Sequence, residues 1–580
     1  MEITPIANIL PAGIAPPTLN VLIPDATNYS VLLLQPHGHI DISSAGVRNR
    51  DQELSKKQFG RFLQDARDTK ADVAITPEYS MPWDVLTEAI KAGTLPSEGK
   101  VWILGCESIR YSELQALKTN LAPIATLLYE ALPTESTRFL DPLAYVFVAP
   151  TTQGHALSKL VVLIQFKTHP MSDKEHFEVN GLQRGSRVYQ LGEVGKTLRL
   201  VSLICSDAFA LKDEDIEKIY DRSLIIHIQL NSNPRQEQYR QYRDRLFGLS
   251  GDATELVCLN WARNVHEWCG VQENYWNNNS SSAWYLKPDK FDDHDNTLCA
   301  NHKRGLYYTW FDNLKTHCLF FNFNPATYLL EATKVAHVGV IASLSRRRGP
   351  QLTRTCVWSD ATESWVQQDS IEAGFSDVVG ESDEAKDELL RIADRNPLEA
   401  ERVLALCAGK IKSDDWHELR QLDSCRINAS EVIYRLTFCQ ETDQDACEVR
   451  VMYFKRCGNL WNILKNEDPS PRGLPDFKQG FSFAWKPNFP HQNAISSQGK
   501  LATVIYMGEE SSDQQIDKIF RIAAENLRKG PVDNPEGRSA RQRLVVWYRK
   551  NSKLERYDSS RLVGIDQSGE ESEVDIARES

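Results

Sequence analysis

At 580 residues the chain is too long for one hydrophobic core, so two domains are expected and a third is allowed. It is 41% hydrophobic and 25% charged, with a formal net charge of -12, an ordinary composition for a soluble globular protein. The acidic balance argues against a nucleic-acid-binding protein, because neutralising phosphates takes clustered basic residues.

The start, MEITPIANILPAG, has neither a basic n-region nor an uninterrupted apolar stretch, and residues 1–28 read as an irregular arm. No apolar run approaches the ~20 residues needed to cross a bilayer. Without a secretion signal, the 12 scattered cysteines are expected to be reduced thiols and the chain cytoplasmic. Cys299-Ala-Asn-His302 offers two ligands, too few for a zinc site.

Short β-branched runs then recur between turns and polar helices. A strand is expected at Ser30-Val-Leu-Leu-Leu-Gln35, a helix from Asp51 to Ala66 and a strand at Val73-Ala-Ile75. Further strands follow at Val101–Leu104, Ala144–Val148, Leu160–Ile164, Leu198–Ile204, Leu224–Ile228 and Leu256–Leu259. This mixture implies a layered α/β domain over residues 29–345. The basic cluster Arg346–Arg348 runs into Gly349-Pro350 and reads as a linker, residues 346–350.

Residues 351–568 have a different texture and are expected to form a separate α+β domain. Asp383–Ala393 has helical spacing, and Asn396-Pro397 supplies a cap and a first-turn proline for a helix to Ala408. Val432–Cys439 and Cys447–Phe454 read as a hairpin. Ile516, Ile519, Phe520, Ala523 and Leu527 recur on one helical face, Arg543–Tyr548 is a strand, and residues 569–580 form an acidic tail.

Three segments carry chemistry. Val73-Ala-Ile-Thr-Pro-Glu78-Tyr-Ser sets a lone carboxylate just past a strand, on the rim where α/β folds keep their sites. Leu163-Ile-Gln-Phe-Lys167-Thr-His closes an apolar run with a cation. Leu203-Ile-Cys205-Ser-Asp207 ends a strand in a thiol at a turn, where freed backbone N–H groups can hold an oxyanion. Singly, each has an inert reading: a solvated turn glutamate, a snorkelling lysine, a buried structural cysteine.

Taken together and in this order, 89 and 38 residues apart, Thr-Pro-Glu78, Phe-Lys167-Thr-His and Ile-Cys205-Ser-Asp207 resemble the nitrilase superfamily. Supporting matches are the opening strand ending in Gln35, Leu104-Gly105, and the late strand ending in Asn260. Glu175, eight residues past Lys167, lies where several members carry a second glutamate. Three features depart from the family. The segment from Ser108 to Leu140 is long and unlike that of a typical member. The family's glycine ahead of the Ile-Cys motif is absent, and Ala208-Phe-Ala-Leu replaces the usual aromatic or basic residue and Pro-Glu. These changes touch the substrate pocket and leave the Glu–Lys–Cys set intact.

The resemblance implies an α-β-β-α sandwich and a carbon–nitrogen hydrolase or acyl transferase acting on a non-peptide amide or nitrile. Cys205 would be the nucleophile and Glu78 the general base and acid, with Glu175 positioning substrate or Lys167. Lys167 and the Ser206 N–H would hold the oxyanion. No metal or organic cofactor is required. The resemblance also implies a homo-oligomer formed through this domain; the additional C-terminal domain points to a protein partner, and the lack of a long apolar run to no membrane contact. Two other readings stay open. One is a catalytically inactive nitrilase fold serving binding, sensing or assembly, as in bacterial defence systems; the other is a Cys–His pair using His169, His176 or His227.

Overall fold

The computed structural model describes all residues except 26, 136, 153–157, 172–177, 194, 233–236, 250–252, 263, 278–281, 287–294, 312–315, 336–348, 372–383, 396, 410–443, 468–473, 487–490, 510, 530–542 and 558–580. The chain divides into two compact units, Met1–Asp292 with Lys303–Ile371, and Asp293–His302 with Glu372–Ser580.

The first unit is an α-β-β-α sandwich. Its nine-stranded sheet runs in the order Ser364–Gln368, Gln351–Ser359, Ala326–Thr333, Asn28–Gln35, Val73–Met81, Val101–Cys106, Pro142–Pro150, Ser158–Phe166, Ala125–Tyr129. The eight-stranded sheet runs Glu2–Pro5, Arg187–Leu191, Arg199–Ile204, Ser223–Ile228, Thr254–Leu259, Ala283–Leu286, Thr316–Phe321, Leu306–Phe311. The sheets face each other: Gln165 Nε2 donates across the interface to Ser202 O at 2.9 Å, and Tyr29 OH to Glu255 Oε2 at 3.3 Å. The central strands are buried on both faces, so they read as continuous apolar runs.

Helices cover the outer faces. Gln52–Asp68 starts where the Asp51 carboxylate accepts from Leu54 N at 2.9 Å, a cap contributing about 1 kcal/mol. Its Phe59, Phe62, Leu63 and Ala66, spaced three and four apart, pack on Leu32, Ala74 and Trp102 of the nine-stranded sheet. On the other sheet, Tyr242 of helix Glu237–Gly248 lies edge-on to His227, ring centroids 5.6 Å apart. A four-stranded sheet, Gln272–Asn277, Asn264–Cys269, Gly38–Ser43 and Gly46–Asn49, lies beside the site described below.

The second unit carries a five-stranded sheet ordered Phe481–Phe483, Ala494–Ser496, Leu501–Tyr506, Leu544–Lys550, Lys553–Arg556. Helices Glu384–Arg395, Pro397–Cys407, Gln444–Asn462 and Asp513–Lys529 supply Ile392, Val403, Leu460 and Ile516 to a core shared with Val504 and Val546. The α+β expectation holds for this unit.

Three expectations are corrected. Residues 1–28 are not wholly irregular, because Glu2–Pro5 joins the eight-stranded sheet in parallel with Arg187–Leu191. The boundary at 346–350 falls too early. Gln351–Ser359 pairs antiparallel with Ala326–Thr333, and Ser364–Gln368 pairs with it in turn, so the first unit runs to Ile371. Cys447–Phe454 lies inside the helix Gln444–Asn462. Its valines and aromatics suggested a strand over eight residues. The helical face, Phe454, Cys457, Leu460 and Leu464, shows only over a longer window. Arg346–Arg348, the run Val432–Cys439 and residues 569–580 lie outside the described residues.

The corrected boundary is testable by truncation. A fragment 1–345 leaves Ala326–Thr333 with an unpaired edge, a template for aggregation. Fragment 1–371 keeps the two covering strands and is expected to melt higher and stay monodisperse. Equal melting temperatures for the two fragments would restore the earlier boundary.

Candidate active site

Glu78 does not follow a strand; it sits in a break within one. Val73–Met81 pairs with Val101–Cys106 up to Thr76 and resumes only at Met81, and Tyr79 in the gap has φ 59°. This bulge turns the Glu78 side chain into the sandwich. The bulged backbone presses on Gly105, where a Cβ would meet Pro77 O at 2.1 Å and Glu78 Cα at 2.9 Å, so the Leu104-Gly105 match is a packing requirement. Trp261 Nε1 donates to Glu78 O at 2.8 Å, and Leu230 N donates to Glu78 Oε2 at 2.6 Å. The Leu230 loop is tied down by Asn260, whose Nδ2 donates to Asn231 O at 2.8 Å.

Lys167 follows the strand Ser158–Phe166, and its Nζ donates to Glu78 Oε1 at 2.6 Å and to Glu178 Oε1 at 2.7 Å, with Asp141 Oδ2 at 3.6 Å. The oxygens of Glu78, Asp141 and Glu178 lie within 4.8 Å of one another, and the positive charge they surround is this ammonium. Glu178 also accepts from Tyr79 OH at 2.7 Å and from Met171 N at 2.7 Å.

Cys205 ends the strand Arg199–Ile204 at φ 41°, a left-handed conformation disfavoured for any side chain and typical of an exposed nucleophile turn. Asp207 fixes that turn to the lysine segment. It accepts from Thr168 N at 2.7 Å, Thr168 Oγ1 at 2.8 Å and His169 N at 2.9 Å, while Ser206 Oγ donates to His169 O at 2.6 Å. The paired appearance of Lys167-Thr-His and Cys205-Ser-Asp207 therefore has a structural cause. Cys205 Sγ lies 3.2 Å from Tyr239 OH, and His227 Nε2 meets Cys205 O, not the sulfur, at 2.8 Å. Burial holds His227 down to about 3, so it stays neutral, and the Cys–His reading loses its partner there.

Lys167, Cys205, Glu178 and Tyr79 line one pocket, together with Ile42, Val47, Phe139, Met171, Leu230 and Glu267. Its electrostatics follow from burial. Desolvation pushes the Glu78 carboxyl up; Lys167 offsets part of this and Glu178 adds to it. For Glu178, burial is outweighed by the charge and hydrogen bond of Lys167, and its carboxyl lies below the usual range. Burial alone would depress Lys167, but Glu178 and Glu78 hold the ammonium well above its ordinary value. The Cys205 thiol is pushed well up by burial and by Glu78, against Lys167. Lys167 therefore does not leave a resting thiolate, since burial and the carboxylates around the ammonium outweigh its pull.

Of the three motif residues, Glu78 and Lys167 are hydrogen-bonded to each other, Lys167 and Cys205 line one pocket, and Ser206 follows Cys205 in the same turn. Glu175 lies outside the described residues; the second glutamate found on Lys167 is Glu178. Asp141, Tyr79, Asp207 and Tyr239 escaped the sequence reading. Asp141 gave no local signal: it stands opposite Lys167 only because the adjoining Pro142 pairs with Phe166.

No family model matches the sequence, and no curated protein matches it. Solved structures do. A glutamine-dependent NAD+ synthetase from Acinetobacter baumannii, in complex with ADP, is 12% identical with TM-score 0.30, over 66% of this chain and 56% of that one. An amidase from Nesterenkonia sp. is 12% identical with TM-score 0.26, over 44% and 81%. Saccharomyces cerevisiae Nit3, described as a branch 10 member of the nitrilase superfamily, is 12% identical with TM-score 0.25, over 44% and 82%. The chain thus spans little more than half of the synthetase. The first unit has a nitrilase-like fold, which rests on its own sandwich and the order of its three motifs. Among the described residues, no helix is long and apolar enough to cross a membrane.

Proposed function

We propose that the first unit hydrolyses, or transfers the acyl group of, a small non-peptide amide or nitrile through a thioester on Cys205. The observation that carries this reading is that the Cys205 thiol and the Lys167 ammonium line one pocket while the Glu78 carboxylate is hydrogen-bonded to that ammonium, a nucleophile, an electrophilic stabiliser and a proton carrier together. The resting thiol is neutral, so its proton leaves as sulfur attacks the carbonyl carbon, and Glu78 accepts it. The raised Glu78 carboxyl makes this base stronger than an exposed glutamate would be. The carbonyl electrons move onto oxygen, held by the Lys167 ammonium and the Ser206 N–H. As the tetrahedral intermediate collapses, the C–N bond breaks and Glu78 returns its proton to the departing nitrogen. Glu78 then takes a proton from the water, or acceptor amine, that attacks the thioester and frees the thiol.

Apolar walls at Ile42, Val47, Phe139 and Leu230 favour a substrate with an aliphatic or aromatic body beside its amide. The test is Glu78→Gln. It keeps the shape and cannot take a proton, so an acyl-enzyme that forms should persist. Intact-mass spectrometry after exposure to a panel of simple amides is expected to show the acyl mass retained on Cys205. Turnover by Glu78→Gln at the wild-type rate would remove the carboxylate from the mechanism and leave the fold as a binding module.

A further inference from the structure

Three carboxyl groups, Glu78, Asp141 and Glu178, surround one ammonium, and all four residues are buried, Asp141 completely so at 0% exposure. Full ionisation would leave two uncompensated negative charges in a site shut off from water, a cost that such groups avoid by binding a proton. Geometry selects the holder. Glu178 takes direct donors from Lys167, Tyr79 and Met171, and Glu78 takes them from Lys167 and Leu230. Asp141 is left at 3.6 Å from Lys167 Nζ, and as a carboxylate neither of its oxygens has a hydrogen-bond donor. As an acid it acquires a partner, because its carboxyl faces that of Glu78.

Building on the role given to Glu78 above, we propose that Asp141 is a positioning residue held as a neutral carboxylic acid, its O–H donating to the Glu78 carboxylate. The backbone fixes it there. Pro142 pairs with Phe166, and Lys167 N donates to Asp141 O at 2.9 Å, so the acid is clamped beside the lysine whose partner it serves. Burial and the neighbouring Glu78 charge push the Asp141 carboxyl well up, in agreement. The groups facing it are Glu78 and Tyr79 on one strand, Cys106 on the next, Lys167 and Glu178; Lys167 alone among them favours its ionisation. The consequence is functional. The donated hydrogen bond favours the ionised form of Glu78, opposing the burial that raises its carboxyl.

The experiment is infrared spectroscopy of the full-length resting protein at pH 8, with aspartate labelled with ¹³C at the side-chain carboxyl. Asp207, pushed up to about 6, is ionised at that pH. A protonated-carboxyl C=O band that shifts with the label and vanishes in Asp141→Asn is expected. No aspartate-dependent band in the wild type at pH 8 overturns the proposal even if the variant fails to fold, and a band that persists in a folded Asp141→Asn overturns it as well. This readout needs no turnover, so it stands apart from any failure of the hydrolase reading. With turnover in hand, the acidic limb of kcat/KM set by Glu78 should move to higher pH in Asp141→Ala. Asp141→Asn, whose amide can donate the same hydrogen bond, should move it back. Equal limbs in both variants would show packing alone, and overturn the positioning role.

Discussion

Replacing Cys205 with alanine is expected to lower turnover on the order of 10⁴-fold or more, the scale on which removing a catalytic nucleophile acts. Sulfur forms the bond that divides the reaction into two steps; Tyr239 OH lies 3.2 Å from it, but burial pushes that phenol well up, so it does not replace the thiol. The pocket also contains Tyr79 OH, but that hydroxyl is donated to Glu178. Cys205→Ser should recover little. A serine hydroxyl gives up its proton far less readily than a thiol, and burial beside Glu78 raises that difficulty for any anion formed there. The left-handed turn at Cys205 and its bonds to Ile228 O and His227 are made by backbone, so both variants should fold. Steady-state rates of either variant within tenfold of wild type would exclude the thioester route.

The parts of this site that were legible in the sequence are those whose chemistry is written in a single local motif. Glu78, Lys167 and Cys205 each follow an apolar run, and that run becomes a buried strand of the sandwich. Long apolar runs are insensitive to small errors in strand ends, so the layered fold could be read as well. What stayed hidden depends on pairing across distance. Asp141 becomes part of the site only through the Pro142–Phe166 register, and Asp207 looked like an ordinary turn residue until the Thr168 segment was brought against it. Glu175 and Glu178 stand in one short polar segment, and spacing from Lys167 alone does not choose between them. Tyr239 belongs to a helix rich in Gln and Arg whose buried residues, Tyr239, Tyr242, Arg243, Leu246 and Phe247, include a charged one and so blur its apolar face. The domain boundary was misread because Gly349-Pro350 resembles a linker, whereas both residues are buried at the start of a strand paired on both sides.

Lys167→Met is expected to damage both rate and stability, with opposite lessons from each. Methionine keeps much of the aliphatic stem and loses the charge, so turnover should fall ~10²–10³-fold, as for removal of one oxyanion donor. Stability should fall by about 3–5 kcal/mol, because two buried carboxylates lose the charge that compensates them. The pH dependence separates this from a packing defect. In the wild type the Lys167 ammonium is held well above its ordinary 10.5, so its contribution is complete below that pH and is lost only as pH rises through the folded value. In the variant, Glu78 and Glu178 have folded values raised above the ordinary 4.5, with no ammonium to offset their burial. An acid raised on folding destabilises most when ionisation is demanded, at neutral and alkaline pH, and recovers as pH falls toward its unfolded value. The gap in melting temperature between wild type and Lys167→Met should therefore narrow steadily from pH 8 to pH 5. A gap that stays constant over this range would mean that the lysine acts by its volume, and that the carboxylates around it are not held as a charge cluster.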